Sequence, residues 1–138
     1  MASSSKTEAA TVLLDANILI YSASRPFDIS YQLRAAGFSR IKVPAVVLRE
    51  LKRLASHGTK KVSRFATLAL EISKSFDIAE LPFDEMSADD QLVRAATEMR
   101  CVVATTDATM RRRLRIGGSS VIFLKNGRLV AETSLITK

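Results

Sequence analysis

Four acidic residues draw attention by where they fall in the chain. Asp15 closes the apolar run Thr11-Val12-Leu13-Leu14, and Asp107 follows a second run, Cys101-Val102-Val103-Ala104-Thr105, after Thr106. Glu50 occupies a helical stripe with Val47, Leu51 and Leu54 at i, i+3, i+4 and i+7, which turns a carboxylate toward the core. Such a glutamate is costly unless a cation pairs with it or its pKa moves. Asp89 and Asp90 are adjacent, but at about 100° per residue Asp89 lies about 60° from Leu92 and Asp90 roughly 160° away. With Leu92, Ala96 and Met99 as the buried face, Asp89 points inward and Asp90 outward.

Carboxylates brought together repel, so a cluster of Asp15, Glu50, Asp89 and Asp107 needs cations to stay ionised at neutral pH. With only oxygen ligands on offer, one or two Mg²⁺ or Mn²⁺ ions suit it better than zinc or iron. A pair of such ions, on the order of 4 Å apart, lowers the pKa of an attacking water and neutralises a crowded phosphate, which points to phosphodiester hydrolysis. Plainer roles remain open for each residue. Asp15 and Asn17 also suit a turn and helix cap, Glu50 a structural ion pair, and Asp89 and Asp90 a helix N-terminus.

The elements that must position these residues alternate between strands and helices. Thr11–Leu14 reads as a buried strand, Asp28 caps a helix bearing Ile29, Leu33 and Ala36, and Gly37 ends it. Residues 41–43 form a short strand, and Pro44 starts a helix to about Ser56. After Gly58, a helix over about residues 60–75 shows Val62, Phe65, Ala66, Ala69, Ile72 and Phe76 on one face. Residues 78–81 form a weak strand before Pro82. Ser87 caps a helix to about Arg100. Residues 101–105 and 121–124 are strands, separated by a short helix with Met110 and Leu114 inward and ended by Gly117-Gly118. Asn126-Gly127 is a hairpin signal leading into 129–132. This alternation predicts an α/β fold with a mainly parallel sheet and a C-terminal β-hairpin, in which Asp15 and Asp107 leave the C-terminal edge where ligands bind.

At 138 residues, the chain suits a flexible N-terminal tail over 1–10 and a single domain over 11–138. Its 47% hydrophobic and 25% charged composition is that of a globular protein. Lysine and arginine number 21 against 14 acids, a net +7 that favours an anionic partner. Arg111, Arg112, Arg113 and Arg115, just after Asp107, are candidates for phosphate contact, or else a solvated face. The single cysteine, Cys101, allows no intrachain disulfide. With no run of membrane-spanning length, the expectation is a cytoplasmic protein without membrane association. His57, at a helix end, reads as a surface residue rather than a base.

The segments Val12-Leu13-Leu14-Asp15-Ala16-Asn17, Val46-Val47-Leu48-Arg49-Glu50-Leu51, Ala88-Asp89-Asp90-Gln91-Leu92-Val93 and Val103-Ala104-Thr105-Thr106-Asp107 follow one another in order, and arginines follow the last. Together they resemble the successive acidic motifs of PIN-domain ribonucleases, over about residues 11–124. The resemblance implies a Rossmann-like three-layer α/β/α domain, metal-dependent cleavage of RNA as an endonuclease, and a homodimer. It makes Asp15, Glu50, Asp89 and Asp107 the catalytic and metal-site acids, with Asn17, Asp90 and Thr105 as supports. Thr106 departs from the family's frequent Asn. The Ala-Asp-Asp form, the arginines and the terminal hairpin look closer to an archaeal or ribosomal-processing branch, active in rRNA processing or RNA decay, than to typical bacterial toxins. Two alternatives stand beside it: a catalytically inactive RNA-binding scaffold, or the toxin of a toxin–antitoxin pair with an antitoxin partner.

Overall fold

A computed structural model describes residues 10–132. Most of the predicted 1–10 tail and the last six residues lie outside the described residues. In chain order the elements are β1 (Thr11–Leu14), α1 (Ala16–Ser24), α2 (Ile29–Ala35), β2 (Arg40–Pro44), α3 (Ala45–His57), α4 (Lys60–Ser73), β3 (Asp77–Ala79), α5 (Ala88–Glu98), β4 (Val102–Ala104), α6 (Ala108–Ile116), β5 (Val121–Lys125) and β6 (Arg128–Glu132).

The strands form one sheet in the order β3-β2-β1-β4-β5-β6. All neighbours are parallel except β5 and β6, which pair antiparallel from Lys125↔Arg128 to Val121↔Glu132. The hairpin turn uses positive φ at both Asn126 and Gly127, the geometry that an Asn-Gly pair supplies at little cost. From β1 the sheet grows toward β2 on one side and β4 on the other. A crevice therefore opens at the C-terminal ends of β1 and β4, the position where open α/β sheets bind ligands.

Aliphatic side chains fill the core on both faces of the sheet. Val12, Leu13 and Leu14 are all buried, as expected for a central parallel strand. Ile18, Leu19, Leu33, Val47, Leu51, Leu92, Met110 and Leu114 cover it from the helices. The helix caps expected at Asp28 and Ser87 are present: each side chain accepts a main-chain N–H, from Tyr31 and Asp90 respectively.

Three local expectations are corrected. Met99 is 47% exposed, because α5 ends at Glu98 and Arg100 takes a positive φ; the buried face is Gln91, Leu92, Ala95 and Ala96. Val62 is exposed in the first turn of α4. The strand predicted over 78–81 is a three-residue edge strand, and Leu81 is buried beyond it.

Candidate active site

Asp15 leaves β1 and immediately caps α1, its Oδ1 accepting the Ala16 N–H at 2.7 Å. Its own N–H donates to the Ala104 carbonyl at 3.0 Å, tying it to the end of β4. Thr105, fully buried, donates its hydroxyl to Asp15 Oδ2 at 2.9 Å and lies 3.1 Å from Asn17 Oδ1. One proton cannot serve both oxygens, and the shorter bond to the carboxylate takes it. Asn17 is satisfied otherwise: its Nδ2 donates to Asp15 Oδ2 at 3.2 Å and its Oδ1 accepts the Thr106 N–H at 2.9 Å. Thr105 Oγ1 accepts the Asp107 N–H at 3.1 Å, and Asp107 caps α6 through the Thr109 N–H at 2.9 Å.

One network therefore joins β1, β4 and two helix starts. Thr106 enters it only through its main chain, with its side chain exposed, so the departure from Asn at that position leaves these bonds intact.

Asp15, Asn17, Ile20, Glu50, Leu54, Ser87 and Asp89 line a cleft of about 390 Å³ at this edge. Burial raises the Asp15 pKa above its ordinary value of 3.8; the Thr105 and Ala16 hydrogen bonds oppose the rise, and the Asp89 and Asp107 charges add to it. Asp89 is also raised, first by partial burial of its carboxylate and then by repulsion from Asp107, while Arg113 pulls it down. The structure thus brings Asp15, Asp89 and Asp107 into mutual repulsion around one edge. Glu50 adds a weaker push on Asp89.

Two inward carboxylates are less buried than the helix geometry predicts. Asp89 is exposed, facing the open cleft rather than the core. Of the two adjacent aspartates, Asp89 lines the cleft. Asp90 turns away and pairs with Arg113 at 2.8 Å, which holds its pKa below the usual carboxylate range. Glu50 keeps 38% of its side chain exposed and meets Arg53 Nη2 at 2.7 Å and Nε at 3.3 Å. Arg53, placed on the opposite face by helical spacing, folds back one turn because its long stem reaches an i,i+3 partner. Among the described residues no three Asp, Glu, His or Cys side chains stand at the spacing of a metal-ligand set.

The arginines after Asp107 also have work that the sequence did not disclose. Arg111 donates two hydrogen bonds to Glu132, from Nε to Oε1 at 2.9 Å and from Nη2 to Oε2 at 2.7 Å, and stacks on the Phe123 ring at 3.6 Å. Arg115 reaches the same glutamate at 3.3 Å. These contacts pin α6 to the terminal hairpin. Arg112 is exposed and has no acidic partner among the described residues. Sequence reasoning missed Glu132 and Arg53; opposite charges at i,i+3 were a legible signal for the second alone. His57 closes α3, and Cys101 is a buried free thiol whose pKa is raised by burial.

The chain is similar to known proteins. Ribonuclease VapC9 of Archaeoglobus fulgidus is 33% identical over 120 residues, spanning 86% of this chain and 85% of that protein. Among solved structures, the PIN domain endonuclease Utp24 superposes with a TM-score of 0.73 at 21% identity, over 92% of this chain and 96% of that one. PAE2754 from Pyrobaculum aerophilum gives 0.54 at 18% identity, over 76% and 80%. At those identities the two structures speak for the fold alone. A family model described as a PIN like domain matches residues 12–127, which takes in all four acids at this sheet edge, and the chain belongs to that family.

Proposed function

We propose that the protein is a divalent-metal-dependent endoribonuclease whose reaction centre is formed by Asp15, Glu50, Asp89 and Asp107. The observation that carries this reading is that Asp15, Glu50 and Asp89 line one cleft at the C-terminal edge of the sheet, with Asp107 close enough to repel both aspartates. A fold gains nothing from repelling carboxylates at its surface edge unless a cation completes them. The donor set is all oxygen and fits Mg²⁺ or Mn²⁺, one ion or two, with Asp15, Asp89 and Asp107 as holders and Glu50 joining once it leaves Arg53. When bound, such an ion supplies a more acidic water and neutralises phosphate charge.

The protein's own residues do the positioning. Thr105 and Ala16 fix the rotamer of Asp15, so its carboxylate faces the cleft before any ligand arrives. Asn17 holds the turn after β4 and so sets the approach of Asp107. Arg113 holds Asp90 aside and leaves Asp89 as the cleft acid. Arg112 is the phosphate contact on the α6 side.

The test is cleavage of single-stranded and structured RNA with Mg²⁺ or Mn²⁺, comparing wild type with Asp15→Asn and Asp107→Asn. Loss of cleavage in both variants supports the reading; equal activity in all three exposes a contaminant and removes it.

One observation favours a second reading, a catalytically inactive RNA-binding scaffold: Glu50 is already neutralised by Arg53, and no ligand-spaced triad stands ready. Salt-dependent RNA binding without metal-dependent turnover selects it. Cellular role follows from partners. Copurification of a small antitoxin, or growth arrest on expression, marks a toxin, and association with pre-ribosomal RNA marks processing. Size-exclusion chromatography reads out the homodimer that belongs to this same proposal. No described helix is long and apolar enough to cross a membrane, which is compatible with cytoplasmic action on RNA.

A further inference from the structure

The α3–α4 hairpin carries more cations than α6, spread over two helices rather than packed into one short run. Between Arg49 and Arg64 the chain carries Arg49, Lys52, Arg53, Lys60, Lys61 and Arg64, against Glu50 as the single acid. All of these cations are exposed. At about 100° per residue, Arg49, Lys52 and Arg53 share one arc of α3, opposite the buried Val47 and Leu51. Lys60, Lys61 and Arg64 likewise share an arc of α4, opposite the buried Ala66 and Ala69.

The turn between the helices is tight. A Cβ on Gly58 would stand 2.6 Å from the Leu54 carbonyl oxygen, and the Ser63 hydroxyl donates to the Ala55 carbonyl across the hairpin. Glu50 and Leu54, on the same helix as the first basic arc, line the acidic cleft. Arg53 borders that cleft through its pair with Glu50, and among the described residues it is the only one of these cations with an acidic partner.

These charges do not serve the fold. Lys60 and Lys61 sit in the first turn of α4 with no acid beside them, where the positive end of the helix repels cations. A local choice that costs stability without a packing return is the mark of a functional surface. The exposed residues of the hairpin include no Phe, Tyr or Trp, and His57 at the end of α3 is the one exposed ring, so the surface suits phosphates more than base stacking.

We propose that the outer face of the α3–α4 hairpin holds the RNA backbone on its way into the acidic cleft. The inference rests on RNA being the substrate, and it locates the main phosphate-binding surface away from the arginines that Glu132 and Asp90 hold on α6.

The experiment compares two charge-matched variants of the full chain, Lys60→Ala/Lys61→Ala/Arg64→Ala and Arg34→Ala/Arg40→Ala/Arg100→Ala, for binding to a single-stranded RNA across a salt series. Divalent metal is chelated throughout, so binding is read without turnover. At roughly 0.7 per single-strand phosphate contact, the hairpin variant should flatten the log–log salt slope by about 2 and weaken low-salt binding about tenfold or more. The control variant should stay within about twofold. Equal losses in the two variants report net charge alone and overturn the proposal, as does an unchanged hairpin variant. Thermal melts check folding: removing Lys60 and Lys61 relieves the helix dipole and should not lower the midpoint. Hairpin-specific binding without metal-dependent cleavage in wild type would remove the nuclease reading and keep this one. Cleavage with equal binding losses would do the reverse, and a wild-type protein that binds no RNA at low salt would overturn both.

Discussion

Thr105→Val removes a single hydroxyl from the centre of the network and leaves its shape. The residue is fully buried, and its hydroxyl donates to Asp15 Oδ2 at 2.9 Å and accepts from the Asp107 N–H at 3.1 Å. A hydrogen bond to a charged group contributes about 1.5–3 kcal/mol, and the N–H of half-exposed Asp107 can turn to water at small cost. The added methyl returns about 0.8 kcal/mol, so the expected net loss is about 1–2 kcal/mol, or roughly 3–10 °C in melting midpoint. The loss depends on pH, because the hydroxyl favours the charged carboxylate. Burial holds the Asp15 pKa above 3.8 in the folded state, and deleting an opposing hydrogen bond raises it further. The stability gap between wild type and variant is therefore full above the folded pKa of Asp15 and shrinks as pH falls through it. In both proteins the raised acid itself costs stability at neutral pH, since below its pKa the folded state binds the extra proton. Melts of metal-free protein at neutral pH and at about pH 4 measure both effects. A gap of equal size at the two pH values, or no gap, would refute the claim that Thr105 stabilises an ionised Asp15.

Further outcomes follow from neighbouring contacts. Asp89→Asn should abolish metal-dependent cleavage while Asp90→Asn retains most of it, because only Asp89 lines the cleft and Asp90 faces Arg113; steady-state rates on one RNA compare them. Arg53→Gln should tighten Mn²⁺ binding by calorimetry, since Glu50 no longer needs to give up a guanidinium; unchanged affinity would mean that Glu50 takes no part in holding the ion. Gly58→Ala should destabilise the chain by about 1–3 kcal/mol in a denaturant titration, because the new methyl meets the Leu54 carbonyl oxygen at 2.6 Å and backbone must move.

The four candidate acids were legible one at a time. Asp15 and Asp107 each close an apolar run, and a carboxylate at a strand end can be read from order alone. Their reading as helix caps holds: Asp15 caps α1 and Asp107 caps α6. The two roles coincide because a cap position leaves one carboxylate oxygen on the backbone and the other free for a neighbour. Helical angles also separated Asp89 from Asp90, since both lie on one element with known periodicity. The same angles overstated the burial of Asp89 and Glu50, because periodicity gives a direction on a helix and not what stands opposite. Here an open cleft does.

The sequence by itself determined the alternation of strands and helices, the caps at Asp28 and Ser87, the Asn126-Gly127 hairpin and the excess of positive charge, all of which depend on residues near one another in the chain. Tertiary structure alone decided the rest. Strand order put β1 beside β4 and so joined Asp15 to Thr105 across 90 positions of sequence. It also sent Glu132 back to Arg111 and Arg115, which clasps α6 to the terminal hairpin. Side-chain pairing at that range is set by which strands are neighbours, and local periodicity carries no record of it.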